Sequence, residues 1–186
     1  MAQGKIQSKE EVLEIIKAKR YQLKFDVDIP DEYKSDKDII GAILEHGNLD
    51  FKKLPDDMKN DKETLLMILS DSAWKLRDFP DSAKDDKEIA LTAVKLDGGS
   101  FEHISDRLKS DRELVKLALT DSGYNLQYVT SKELLHDREL IKLALSTHDQ
   151  AYIHIPEDLR EDKEFIEQVM SKEINTLVFE LFPEKY

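Results

Sequence analysis

The chain contains no cysteine. Disulfide scaffolding and thiolate chemistry are therefore excluded, and the composition suits a reducing cytoplasm. Glycine and proline are sparse, at 6 and 5 of 186 residues, so no Gly/Ser/Pro-rich linker marks a domain boundary. No apolar run approaches the roughly 20 residues that cross a bilayer. Residues 1–6 lack the apolar core of a signal peptide. The glycine motifs of nucleotide and acyl-transfer sites are missing as well: there is no Gly-x-x-x-x-Gly-Lys, no Gly-x-Gly-x-x-Gly and no Gly-x-Ser-x-Gly. Positive charge is in deficit, with 28 Lys and Arg against 40 Asp and Glu, a net charge of −12. Such a surface repels nucleic-acid phosphates and anionic membranes, so neither is an expected partner. The acidity has two readings: helix-capping aspartates plus a solvated face, or a DNA-like surface that occupies a DNA-binding protein. Carboxylates gathered on one face would favour the second.

What the sequence does contain is a repeat. Asp86-Lys87-Glu88 opens an apolar pattern, and the same kind of triplet opens at Asp36, Asp61, Asp111, Asp137 and Asp162, at spacings of 25, 25, 25, 26 and 25 residues. Ser8-Lys9-Glu10 is a degenerate first copy. Aspartate is a strong N-cap because its carboxylate accepts the free amides of the first turn, and an acidic third residue suits the positive end of the helix dipole. Apolar residues follow at three- and four-residue spacing, as at Ala90, Ala93 and Val94 or at Val115, Ala118 and Leu119. That is one face of an amphipathic helix of about three turns. Gly47, Gly98 and Gly123 fall where C-terminal glycine caps would stand.

A second signal follows each helix: an apolar residue, two variable residues, another apolar residue, then Pro, Ser or Thr, as in Phe51-Leu54-Pro55 and Leu126-Val129-Thr130. It predicts a short second helix and a polar turn. Phe25 to Ile29 alternates apolar and acidic residues like a short strand, but the repeat register makes it a second helical element. One such unit cannot bury both of its apolar faces, so neighbours must stack. The expected fold is all-α, a solenoid of about seven ~25-residue helix–short helix units. Residues 1–35 form an N-terminal capping repeat, 36–161 five regular repeats and 162–186 an atypical C-terminal cap, in one continuous domain. The apolar stretch Ile174 to Pro183 either closes the core or offers a self-association surface on a chain expected to be monomeric.

Taken together, these motifs resemble the bacterial helical repeats catalogued as domain of unknown function 4116. The resemblance covers roughly residues 36–170 and is best at 86–130 and 111–145. Ser72 and Asp149 near the glycine position, and the extra residue at Ser131-Lys132-Glu133, depart from the pattern. The resemblance implies a helical solenoid and carries over no activity and no catalytic residue.

The chemistry is thin. His46, His103, His136, His148 and His154 show no His-x-x-x-His pair and read as surface histidines, so no metal or cofactor is expected. Asp26-x-Asp28 is similar to a metal-binding pair of some glycosyltransferases, but no nucleotide-binding strand–loop–helix accompanies it. Gly98-Gly99-Ser100 lies at a helix end and is poorly placed to cradle phosphate. Enzymatic activity is not expected. In repeat proteins the variable positions carry the function. One such position holds Lys53, Asp78, His103, Tyr128, His154 and Phe179; another holds Leu49, Trp74, Gly99 and Tyr124. Trp74 and Tyr124 either cover the inter-helix turn as core aromatics or, with Arg77, His103, Tyr128 and His154, form a binding strip for a protein or peptide.

Overall fold

The computed structural model describes residues 8–19, 22–46 and 49–169, and every regular element among them is helical. Gly47 and the stretch 174–183 lie outside the described residues. The chain divides into two compact units, residues 1–89 and 90–186.

In both units the triplet aspartate begins the long helix as its chemistry requires. Asp36 Oδ1 accepts the amides of Asp38 and Ile39 at 2.9 and 3.3 Å, and Asp86 Oδ1 those of Glu88 and Ile89 at 2.9 and 3.1 Å. Asp111 and Asp137 do the same for the helices Arg112–Asp121 and Arg138–Thr147. Asp61 accepts Thr64 N–H at 2.9 Å, and Asp162 accepts Phe165 N–H at 3.0 Å. Behind each cap the apolar spacing buries one face: Leu65, Ile68 and Leu69 in unit 1; Val115, Ala118 and Leu119, then Ile141, Ala144 and Leu145, in unit 2.

The second element is a 3-10 helix, at Phe51–Lys53 and Ala73–Asp78 in unit 1 and at Gly98–His103, Gly123–Tyr128 and Asp149–His154 in unit 2. Phe25 to Ile29 is helical over Phe25–Asp28, as the repeat register requires. The polar turn turns out to be more than a turn. It holds a four-residue helix at Asp56–Lys59, Asp81–Lys84, Lys132–Leu135 and Glu157–Arg160. Pro55, Pro80 and Pro156 start three of these, because proline presets φ and lacks only an N–H that a helix start leaves unused. The extra residue of the fourth interval is absorbed just before Ser131. Thr130 donates its Oγ1–H to the Asp106 carbonyl at 2.8 Å, and Ser131 then caps Lys132–Leu135.

The glycine reading needs correction. The long helices end in extended residues, Asp97 at φ −154° and Ser122 at φ −149°, and Gly98 and Gly123 each open the following 3-10 helix. Close approach explains them. A β-carbon on Gly98 would collide with the side chain of Asp121, and one on Gly123 with the backbone of Ala144. These glycines let a 3-10 helix seat against the next repeat.

Within unit 1 the helices Lys9–Lys19, Lys37–His46 and Lys62–Asp71 pack in sequence. Within unit 2 the helix Arg112–Asp121 packs on Arg138–Thr147, and the 3-10 helices line up side by side. An electrostatic ladder runs along these stacks. The basic middle residue of a triplet reaches the two carboxylates of the next triplet. Lys9 meets Asp36 and Asp38 at 2.8 and 2.6 Å, Lys37 meets Asp61 and Glu63, and Lys62 meets Asp86 and Glu88 at 2.8 Å each. In unit 2, Arg112 meets Asp137 and Glu139 at 2.6 and 3.5 Å, and Arg138 meets Asp162 at 3.2 Å. Each rung is exposed enough that solvent screening leaves it little net stability. The shared geometry fixes register: one aspartate caps its own helix and receives the previous repeat's cation.

Candidate interaction surface

In unit 2 the 3-10 layer presents aromatic and imidazole rings. Tyr124 keeps 37 % of its surface exposed. Its ring lies edge-on to His148 at 6.1 Å and to His154 at 5.6 Å, and its hydroxyl donates to Gln150 Oε1 at 3.2 Å. Ser122 Oγ lies 3.4 Å from His148 Nδ1. Tyr124 and His154, both in the expected strip, are thus neighbours. His148 and Gln150 join them without having been singled out. Gln150 could have been found, since it holds the same repeat position as Tyr124 in the next copy.

Tyr128, His103 and His154 share another repeat position, and all three are half-buried. Burial, then a hydrogen bond to Glu102, raises the Tyr128 phenol above its usual range. Burial alone lowers His154, whose Nε2 has no hydrogen-bond partner.

A polar residue beneath this layer anchors it. Asn125 is 4 % exposed and donates from Nδ2 to the carbonyls of Gly98 and Ala118 at 3.2 and 3.0 Å. Lys75 and Ser100 occupy the same repeat position and are also buried. A buried amide must be paired, and here it ties one 3-10 helix to its own long helix and to the previous 3-10 helix. The signal was a small or amphipathic polar residue recurring where an apolar one would pass.

Unit 1 offers different chemistry. Trp74 is 49 % exposed, so like Tyr124 it is a surface ring and not a core one. The Arg77 guanidinium covers it at 4.7 Å. Phe51 packs on Phe79 at 5.0 Å and, with Lys52, Lys59, Asn60, Asp78 and Pro80, lines an open groove of about 320 Å³. Lys75 is buried and pairs with Asp71 at 2.6 Å. Asp26 and Asp28 are each committed to a lysine, Lys53 and Lys19 respectively, which leaves no open carboxylate pair there. Among the described residues no group of three or more His, Asp or Glu is placed to hold a metal ion, and no helix is long and apolar enough to cross a membrane. The histidines are surface or half-buried groups. His136, for example, sits between the Lys132 carbonyl at 2.8 Å and Asp158 at 3.1 Å.

Two matches to the family described as Domain of unknown function (DUF4116) cover residues 86–135 and 137–186, more than half of the chain together. The chain belongs to the DUF4116 family. Each DUF4116 match opens on a capping aspartate, Asp86 or Asp137, and spans two Asp-led repeats. The family unit is therefore a pair of the ~25-residue repeats read from the triplets. The matches begin later and run further than the triplet resemblance suggests: the repeats led by Asp36 and Asp61 fall outside them, and 162–186 falls inside. No curated protein matches the chain, and no solved structure does.

Proposed function

We propose that this DUF4116 chain is a non-enzymatic interaction scaffold: a solenoid of about seven units, working in the cytoplasm, that holds a protein or peptide partner on its 3-10 layer. The observation that carries the reading is Tyr124, an exposed ring set edge-on between two imidazoles on helices whose own packing is already satisfied. Aromatic side chains dominate interface hot spots because they bury much area at little entropic cost. A paired, buried underlayer such as Asn125 keeps such a ring in place, and preorganisation of this kind favours binding.

The alternative of an acidic inhibitor that mimics DNA is less well supported, because the triplet carboxylates are largely occupied by caps and by the basic ladder. The scaffold reading is tested by capture from the native host's lysate. Wild type is compared with Tyr124→Ala/His154→Ala and with Trp74→Ala, and the retained proteins are identified by mass spectrometry. A partner kept by wild type and lost with the double variant is expected. No retained protein, or equal retention by all three chains, would reject the reading.

A further inference from the structure

The exposed large apolar side chains of unit 2 are Leu96 at 55 %, Tyr124 at 37 % and Ile153 at 48 %, counted among the described residues. All three fall in the segments 96–104, 121–129 and 147–155, which join the long helices to the ends of the 3-10 helices. The same segments hold Asp97, Glu102, Asp121 and Asp149, every one of them exposed, and not one Lys or Arg. They are also contiguous. Asp121 lies against Gly98, Tyr128 is hydrogen-bonded to Glu102, and Tyr124 touches His148 and Gln150 on either side of Asp149. The long helices of these repeats end here, at Leu96, Asp121 and Thr147, so their partial negative ends add to the field.

Two independent features thus coincide in one set of neighbouring segments: the exposed apolar side chains of the unit, and charge of one sign. An apolar partner alone would leave four carboxylates facing a desolvated interface, which costs free energy unless they are paired. A basic partner alone would leave Leu96, Tyr124 and Ile153 in water. We propose that this face docks a basic protein segment in which Lys or Arg side chains alternate with apolar ones. The cations meet Asp97, Asp121 and Asp149, and one of them stacks on the Tyr124 ring. The inference rests on the scaffold reading and names its partner class.

Fluorescence anisotropy with the full chain tests it, using a short dye-labelled peptide of alternating Lys or Arg and Leu or Phe, and a counterpart with Glu at every basic position. Wild type should prefer the basic peptide by about tenfold or more. Asp121→Lys/Asp149→Lys should abolish the preference. Glu164→Lys/Glu167→Lys, outside the three segments, makes the same change in net charge and should retain the preference. Asp121→Asn/Asp149→Asn replaces the reversal should circular dichroism show the latter to be unfolded.

Equal loss in the on-face and off-face variants means bulk attraction to an acidic protein and overturns the proposal. Equal or tighter binding of the Glu peptide overturns the partner class and leaves the scaffold reading standing. If neither peptide binds while lysate capture still yields a Tyr124-dependent partner, this inference falls alone; if capture fails too, both fall.

Discussion

The 3-10 layers of the two units are built on one repeat and dressed in opposite ways. At the position after the first core residue of the 3-10 helix, unit 1 carries Lys52 and Arg77, whereas unit 2 carries Glu102, Gln127 and Ile153. At the next position unit 1 has Lys53 and Asp78, and unit 2 has His103, Tyr128 and His154. Each unit shows one exposed ring at the same register, but Trp74 lies under a guanidinium and Tyr124 stands between two imidazoles. The core positions four, seven and eight residues after each capping aspartate stay apolar in both units. Core and caps thus answer to folding alone, and the variable positions have been free to follow something else. In the scaffold reading proposed above, that something is a partner.

The comparison breaks first if the cores are not equivalent. Leu69 and Leu119 end the apolar set of corresponding helices and are both fully buried. Leu69→Ala and Leu119→Ala should each cost about 2–5 kcal/mol, by lost burial plus a cavity. Urea unfolding of the two variants should give losses of similar size. A loss confined to one unit would mean that the other carries a core of a different kind.

Gly123 sharpens the comparison. Its counterpart in unit 1 is Ala73, which already carries a β-carbon, while a β-carbon at Gly123 would run into the Ala144 backbone. Gly123→Ala should therefore cost about 1–3 kcal/mol through overpacking. Gly98→Ala should cost a similar amount, because a β-carbon there would collide with Asp121 Cβ, which no rotamer change can move. Thermal melts of the two variants check both losses, and a variant as stable as wild type would refute the close-approach account.

How much of this was readable in advance follows from the physics of each feature. The capping aspartates and the buried faces were legible because both are local: a side chain reaching its own first turn, and a three-and-four spacing on one helix. Gly98 and Gly123 do stand just past helix ends, but they were misread as C-terminal caps because their reason is a contact with a residue more than twenty positions away. The ladder was half legible. The recurring Lys or Arg in the triplet was visible, but only the stacked geometry shows that it serves the following repeat. On the candidate face, Tyr124 and His154 were legible as variable positions. His148 was not, because it precedes the 3-10 helix at a register otherwise held by Asp97 and Ser122.

Smaller effects come from the caps of unit 1. Asp86→Ala should cost about 1 kcal/mol as the first-turn amides lose their acceptor. Acid should weaken the same caps. Burial would raise the Asp86 carboxyl, but the Lys62 ammonium and the amides of Ile89 and Glu88 outweigh it and hold the group below its ordinary 3.8. At Asp61 the Thr64 hydroxyl, the Thr64 amide and then Lys37 bring the carboxyl to about 2. A folded-state value below the unfolded one means that this stability is present in full above 3.8 and is lost as pH falls through about 2. Urea midpoints should therefore drop over that window. Asp61→Asn, which still caps but cannot titrate, should flatten the drop; an unchanged slope would mean that Asp61 is not among the groups responsible.

The smallest effect separates the two rings. Trp74 is the sole tryptophan of the chain, so its emission reports on the unit 1 face alone. Arg77 is itself exposed, and a guanidinium over an exposed indole is worth about 0.5–1 kcal/mol. Arg77→Ala should scarcely move the urea midpoint, yet it should make Trp74 more open to quenching by acrylamide, because the ring loses the group 4.7 Å above it. Unchanged quenching would mean that the guanidinium does not cover the indole in solution. Trp74 would then be as bare as Tyr124, and the contrast between the faces would reduce to charge. Stronger quenching would mean that unit 1 shields its ring with its own cation. Unit 2, which has no Lys or Arg in the segments around Tyr124, leaves that place to a cation from outside.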